Sequence, residues 1–137
     1  MRLIAVLTLA GLAALIATAA PPPDPRADEG AAAGRKWLAL LDDRKYEESW
    51  QQADPTFREQ VKQDDWVGAL KQSRGPLGRM VSRAAARVDF TKTLRGAPDG
   101  DYCIIHFTTE FENKTVTERL TLVMLDGKWQ ASAYAIH

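Results

Sequence analysis

The last third of the chain contains three runs of alternating apolar and polar residues, and this pattern constrains the fold more than any other feature. The runs cover residues 101–111, 115–125 and 128–136. Because successive side chains of a strand point to opposite faces, each run has one apolar face. The residues predicted for that face are Cys103, Ile105, Phe107, Phe111, Val116, Leu120, Leu122, Met124, Trp129, Ala131, Ala133 and Ala135. One sheet with a single buried face accounts for all three runs.

Two short turns bring these apolar residues onto the same face. Asp126 and Gly127 predict a two-residue turn, since both positions need a positive φ angle that these residues tolerate. A second turn is predicted at residues 112–115. The pairs expected across the two turns are Met124 with Trp129, Leu122 with Ala131, Leu120 with Ala133, Glu118 with Ala135, Phe111 with Val116, Phe107 with Leu120 and Ile105 with Leu122. A slip of one residue would send one strand's apolar residues to the opposite face.

A fourth strand is predicted upstream, over residues 80–94. Its apolar residues alternate in the same register as the later strands, and they are Met80, Ala84, Ala86, Val88 and Phe90. The three consecutive alanines also fit a helix, so the beginning of this strand stays open.

Helices are predicted between residues 35 and 75, where large apolar residues recur at helical spacing. Asp54 and Pro55 predict the start of one helix, as its N-cap and first residue. Gly75, followed by proline, predicts the end of the last one. The predicted fold class is therefore α+β, with N-terminal helices packed on one face of a curved antiparallel sheet of about four strands.

The first 19 residues have the layout of a secretory signal peptide. Arg2 precedes an apolar run over residues 3–16, and small residues follow at 17–19. Cleavage after Ala19 predicts a periplasmic or secreted protein. The alternative is an uncleaved membrane anchor, although the apolar run is short for a full membrane span. The protein would contact a membrane only through this segment.

Residues 20–34 are rich in proline, alanine and charge, which predicts a flexible linker with a helix beginning in its alanine run. Residues 35–137 are then a single domain. The chain has 18 basic and 18 acidic residues, a balance that argues against nucleic acid as a partner. With a single cysteine and two histidines, the sequence contains no metal-ligand set, and no motif indicates a cofactor.

Residues along the domain resemble a bacterial family catalogued as domain of unknown function 4019. The residues that carry the resemblance are Tyr46, Trp50, Phe57, Trp66, the segment 74–78, Gly100, Tyr102, Glu118, Gly127, Trp129 and Tyr134. It covers roughly residues 30–136 and implies an exported bacterial protein without a specified activity. The order of elements also resembles the cystatin-like or nuclear transport factor 2-like superfamily, which includes isomerases, dehydratases, ligand-binding proteins and dimerisation modules.

Glu118 is the one charged residue in the apolar row of the middle strands. A carboxylate there is either paired with an arginine, such as Arg79, Arg83 or Arg87, or lies in a functional pocket. The residues predicted to line such a pocket are Tyr46, Trp50, Trp66, Glu118 and Trp129. An enzyme of the isomerase or dehydratase type would need an acid-base pair there, for which Glu118 and Tyr46 are the candidates.

Two further residues are candidates for chemical roles, and the strand register argues against both. His106 is predicted to lie on the outer face opposite Asp89, an arrangement that orients a general base, but no nucleophile is evident beside it. Cys103 is predicted to lie on the inner face as a small core residue, away from His106.

The outer face of the sheet is also predicted to carry apolar residues, which are Tyr102, Ile104, Val123, Leu125 and Tyr134. Exposed apolar patches mark interfaces, so this face predicts a homodimer or an envelope protein partner. The alternative is that a long loop or the N-terminal segment lies across the face. The sequence thus favours an exported, non-catalytic module that binds a protein partner or a small apolar ligand, with an isomerase- or dehydratase-type enzyme as the alternative.

Overall fold

The computed structural model describes residue 22 and residues 24–137, so the predicted signal peptide lies outside the described residues. The elements are helices α1 (Pro25–Asp42), α2 (Tyr46–Gln51), α3 (Pro55–Gln60) and α4 (Gln63–Arg74), a 3-10 turn (Gly75–Leu77), and strands β1 (Met80–Thr91), β2 (Tyr102–Phe111), β3 (Thr115–Leu125) and β4 (Lys128–Ile136). The strands form one antiparallel sheet in chain order. This confirms the predicted α+β fold. Among the described helices, none combines the length and hydrophobicity that a membrane crossing requires.

Helix α1 begins at Pro25, so the flexible linker predicted for residues 20–34 is corrected from Pro25 onward. Gly30 and Gly34 explain why a segment with few large apolar residues is ordered. Each is buried against the sheet, and a Cβ atom at Gly30 would lie only 2.7 Å from Cys103 Sγ. Small residues therefore allow the helix backbone to approach the sheet closely, which composition alone does not reveal.

The helix boundaries follow local signals. The Asp54 side chain accepts hydrogen bonds from the backbone N–H groups of Thr56 (2.7 Å) and Phe57 (3.2 Å), which confirms the predicted cap of α3. Helix α4 ends with Gly75 as its C-cap, as predicted. The helices cover the inner face of the sheet, where Phe107 is fully buried.

The predicted inner face of the sheet is confirmed along β2 and most of β3. Asp126 and Gly127 form the expected turn, with φ angles of 50° and 75°. Across it, Met124 pairs with Trp129 and Leu122 with Ala131, as predicted. The side chains of the inner-face residues Cys103, Ile105, Phe107, Phe111, Val116, Leu120 and Leu122 are buried. Alternation was therefore sufficient to assign these faces.

The register between β2 and β3 differs from the prediction by two residues. Phe107 lies opposite Glu118 instead of Leu120, and Ile105 takes Leu120 as its partner. The turn is tighter than expected because residues 112–113 form its tip, and their backbone N–H groups donate to carbonyls within residues 77–79. A shift of two residues preserves the face of every side chain, so the inner face is unchanged.

Two β-bulges overturn the predicted facing in parts of β1 and β4. Ala86 is an extra residue in β1 and Ser132 is the extra residue in β4; a second irregularity in β1, at Val81, returns Met80 to its predicted inner position. Beyond each bulge the alternation is inverted, which turns Arg83 and Tyr134 toward the interior. The outer position predicted for Tyr134 is therefore wrong.

The same bulges change the facing of four alanines and the residue pairing at the end of β4. The inner-face positions predicted for Ala84, Ala86, Ala133 and Ala135 are wrong, and all four residues are exposed. Leu120 pairs with Tyr134 and Glu118 with Ile136, each one residue further along β4 than expected.

Candidate functional site

Glu118 lies in a fully buried position on the inner face, where two arginines bind its carboxylate. Arg74, the last residue of α4, donates from Nη1 to Oε2 at 2.7 Å. Arg83, turned inward by the bulge at Ala86, donates to Oε1 from Nε at 2.9 Å and from Nη2 at 2.7 Å. The predicted ion pair with Arg83 is confirmed.

Asp42 joins both arginines from the C-terminal end of α1. Its Oδ1 accepts from Arg74 Nη2 at 2.6 Å and from Arg83 Nη2 at 2.9 Å, and its Oδ2 accepts from Arg83 Nη1 at 2.7 Å. We call Asp42, Arg74, Arg83 and Glu118 the charge network. Its two positive and two negative charges balance, as burial of charges requires.

Two hydroxyl groups complete the bonding of Glu118. Thr109 Oγ1 donates to Oε1 at 2.6 Å, and Tyr134 OH donates to Oε2 at 2.5 Å. Tyr134 OH in turn accepts from Arg74 Nη1 at 2.7 Å. Glu118 therefore accepts five hydrogen bonds, and an ionised carboxylate has about four lone-pair sites. Its capacity to accept further hydrogen bonds is used up.

The surroundings also determine the charge of these groups. Burial alone would raise the pKa of Glu118, but the Arg83 charge, the hydrogen bonds from Thr109 and Tyr134 and the Arg74 charge together bring it below its ordinary value. The pKa of Tyr134 is raised by burial and then by the neighbouring Glu118 charge. At neutral pH the carboxylate is ionised and the phenol protonated, so neither is poised to exchange a proton.

Sequence reasoning missed Arg74, Asp42 and Tyr134 as neighbours of Glu118. The other two arginines proposed as its partners pair elsewhere, Arg79 with Glu112 at 3.1 Å and Arg87 with Asp89 at 2.7 Å. The available signal was an unexplained charge on an apolar face, and a search for arginines at helix ends would have included Arg74.

The five residues predicted to share one pocket are dispersed. Trp66 borders a closely packed apolar region between the helices and the sheet, which has no room for a water molecule. Trp50 is half-buried and donates from Nε1 to the Val61 carbonyl at 2.7 Å. Trp129 packs against Phe90, with ring centroids 6.2 Å apart. Tyr46 is buried beside a surface groove next to the charge network, while Glu118 lies within that network.

Ser49 is a buried polar residue that sequence reasoning did not single out. Its hydroxyl accepts from Trp66 Nε1 at 3.0 Å and donates to the Tyr46 carbonyl at 2.6 Å, while its own carbonyl accepts from Trp37 Nε1 at 3.0 Å. Trp37 and Trp66 also contact each other and Tyr134, with ring centroids about 6 Å apart. The aromatic interior is thus fastened to α2 through one serine.

The predicted His106–Asp89 pair is wrong. His106 lies opposite Arg87, and Asp89 lies opposite Ile104, because the strand register differs by two residues from the one expected. The position of Cys103 in the core is confirmed, since its side chain is fully buried. Burial raises the pKa of this thiol to about 11, which makes it a poor nucleophile.

The outer face is covered in part by the β1–β2 loop, residues 92–101. Tyr102 and Val123 are buried, and Tyr102 OH donates to the Pro98 carbonyl of that loop at 2.6 Å. Ile104 and Leu125 are half-buried. The apolar patch predicted for this face is therefore largely enclosed by the protein's own chain.

Surface grooves flank the fold, and one of about 630 Å³ lies between α1, the α2–α3 region and β4. Within residues 24–137, no three His, Cys, Asp or Glu side chains are grouped so as to hold a metal ion.

No curated protein matches the chain. The sequence matches the family described as "Protein of unknown function (DUF4019)" over residues 33–134, which is more than half of its 137 residues. The resemblance to this family is thereby confirmed, and the chain belongs to the DUF4019 family.

Proposed function

We propose that the protein is an exported, non-catalytic module that binds a protein partner on its surface. The observation that carries this proposal is the bonding of Glu118. The one carboxylate on the inner face of the middle strands accepts five hydrogen bonds and lies between two arginines. Its role is to hold α1, α4 and the sheet together. The proposed binding therefore takes place on the surface of the protein.

The packing of the interior supports a surface role over the binding of a small apolar ligand inside the fold. The apolar space beside Trp66 has no room for a water molecule, whereas ligand pockets commonly measure about 300–1,000 Å³. Protein interiors are close-packed, and this part of the interior leaves no room for a ligand.

The enzyme alternative has weaker support. An isomerase or dehydratase of this kind needs an acid-base pair with access to substrate, for which Glu118 and Tyr46 are the candidates. Glu118 contacts Tyr134, is fully buried and has a lowered pKa. A base of that kind is a weak proton acceptor at neutral pH, and a substrate would have to displace an arginine to reach it.

Export is proposed from the sequence of residues 1–19 and implies a partner in the cell envelope or outside the cell. Native mass spectrometry of the protein purified gently from its own host tests both parts of the proposal. We expect a chain that begins at Ala20, together with the mass of a second, different polypeptide. Protein isolated at high salt serves as the control. Its spectrum should still show the mass of the chain itself, and the mass of a partner bound to its surface should be absent.

Two outcomes would overturn the proposal. A retained molecule of a few hundred daltons that persists through high salt would indicate an interior ligand site. A chain that still begins at Met1 would remove the argument for export.

A further inference from the structure

The surface groove of about 630 Å³ collects positive charge on a chain whose acidic and basic residues are equal in number. Three cationic side chains line it, each from a different element: Lys36 from α1, Arg58 from α3 and Lys128 from β4. Among the described residues, no aspartate or glutamate lines it. We call this the basic groove.

The cations of the basic groove are unpaired in the described part of the chain. Lys36, Arg58 and Lys128 make no ion pair there, whereas Arg74 and Arg83 are neutralised by the charge network. Like charges around one concave surface repel each other, and an anionic occupant relieves this repulsion.

Polar amides and an apolar floor accompany the charges. Gln51, Gln52 and Gln130 supply amide donors and acceptors, of which Gln52 also donates to Glu48 outside the groove at 3.2 Å. The floor consists of the apolar residues Ala33, Trp37, Ala53, Leu122, Trp129 and Ala131. The buried indole N–H of Trp129 has no hydrogen-bond partner within residues 24–137. Such a surface suits a ligand with carboxylates, a hydrogen-bonding backbone and apolar side chains.

The walls of the groove are held in place. The backbone N–H of Asp54 donates to the Ala131 carbonyl at 2.8 Å, which joins the beginning of α3 to β4. One helical turn later, the N–H of Arg58 donates to the Asp54 carbonyl at 3.2 Å. Lys128 follows the tight turn at Gly127. The groove is therefore formed before a ligand arrives, which lowers the entropic cost of binding.

We propose that the basic groove binds an acidic, partly apolar segment of a protein partner. This inference rests on the proposed function and assigns the surface and the partner's chemistry. A peptide is favoured over a small anion because the three cations come from three elements around an open groove, between which amides and apolar residues alternate.

Fluorescence anisotropy with the labelled peptide (Glu-Leu)₃ tests the assignment at low ionic strength. The variant K36Q/R58Q/K128Q should weaken binding by at least about tenfold, since it removes all three attractive charges. The matched control is K45Q/K62Q/K114Q, which removes three exposed cations outside the groove and gives the same net charge. The control should change the dissociation constant by less than about twofold, and circular dichroism should show that both variants are folded.

Further arms separate the other occupants. The peptide (Gln-Leu)₃ should bind at least about tenfold more weakly than (Glu-Leu)₃, and added salt should weaken the acidic peptide only. Equal weakening by the two triple variants, or equal binding of the two peptides, overturns the groove assignment. If millimolar inorganic phosphate displaces the peptide completely, the groove is a small-anion site. If the protein binds phosphatidylglycerol vesicles and does not bind the peptide, the groove is a lipid-binding surface. Either result overturns the peptide assignment.

The two proposals fail separately. If native mass spectrometry finds a second polypeptide while (Glu-Leu)₃ does not bind, only the basic groove loses its role. If the protein retains a salt-resistant small molecule instead, the proposed function fails regardless of the peptide result.

Discussion

Replacement of Glu118 by glutamine tests the importance of the charge network most directly. The variant E118Q keeps the size and shape of the side chain, so it introduces no cavity, but its amide NH2 group meets donors from which a carboxylate oxygen accepted. It leaves Arg74, Arg83 and Asp42 with one uncompensated positive charge in a buried setting, where the Arg74 and Arg83 side chains are only 4% and 5% exposed. The loss of one partner from a buried ion pair costs about 3–5 kcal/mol.

This loss is large compared with the stability of an ordinary domain, about 5–15 kcal/mol. For a domain of roughly 100 residues, each kcal/mol corresponds to about 4 °C, so Tm should fall by about 12–20 °C. Urea denaturation followed by tryptophan fluorescence measures the change in the free energy of unfolding. The matched control is E112Q, which breaks the exposed ion pair with Arg79 and should leave the urea midpoint almost unchanged.

A double variant checks that charge balance is the cause. Replacement of Arg83 by methionine together with E118Q leaves Arg74 and Asp42 as a neutral pair. The double variant should therefore lose about 1–3 kcal/mol less than the sum of the two single changes. An additive result would mean that the two side chains act independently.

The pH dependence has a defined sign. Because the folded-state pKa of Glu118 lies below that of the unfolded chain, its contribution is complete above the unfolded pKa, about 4.3. That contribution is lost as the pH falls through the folded value, so the wild-type protein should lose stability in acid more steeply than E118Q. If E118Q unfolds within about 1 kcal/mol of the wild type at pH 7, the network does not determine stability and our reasoning is refuted.

Three further predictions concern the interior. The variant G30A should be destabilised by about 1–3 kcal/mol because its new methyl group meets Cys103 Sγ. In urea denaturation, the added change C103A should recover much of that loss in the free energy of unfolding. If it recovers none, the strain in G30A does not come from the contact with Cys103. The variant S49A leaves the buried Trp66 N–H without an acceptor and should cost about 1–3 kcal/mol, whereas S49A combined with W66F should cost less than the two single changes together. The Cys103 thiol should react with an aromatic disulfide reagent at pH 8 at least about a hundredfold more slowly in the folded than in the urea-unfolded protein, and equal rates would contradict its burial.

Much of the fold was predictable because local signals and side-chain alternation agree along the chain. The turn at Asp126 and Gly127, the cap at Asp54 and the inner face of β2 all depend on residues close together in sequence. The two-residue error in the β2–β3 register did no harm to the face assignments, because strand periodicity is two.

The bulges were not predictable, and they position two of the side chains that surround Glu118. Around Ala86 the sequence reads as three consecutive alanines, and around Ser132 small residues follow one another. Neither stretch has a hydrophobic contrast that marks where an extra residue enters. Tyr134 was consequently assigned to the outer face, and Arg83 could not be distinguished from the neighbouring arginines as the partner of Glu118.

The sequence alone determined the class of the fold, the order of its elements and the inner face of its central strands, because these follow from short-range periodicity and turn chemistry. Long-range packing decided the neighbours of Glu118, since Arg74 is 44 residues away in the chain. It also decided the ordering of residues 25–34 and the cover over Tyr102. These features depend on how closely helices and loops approach the sheet, and that distance is set by the packing of the whole domain.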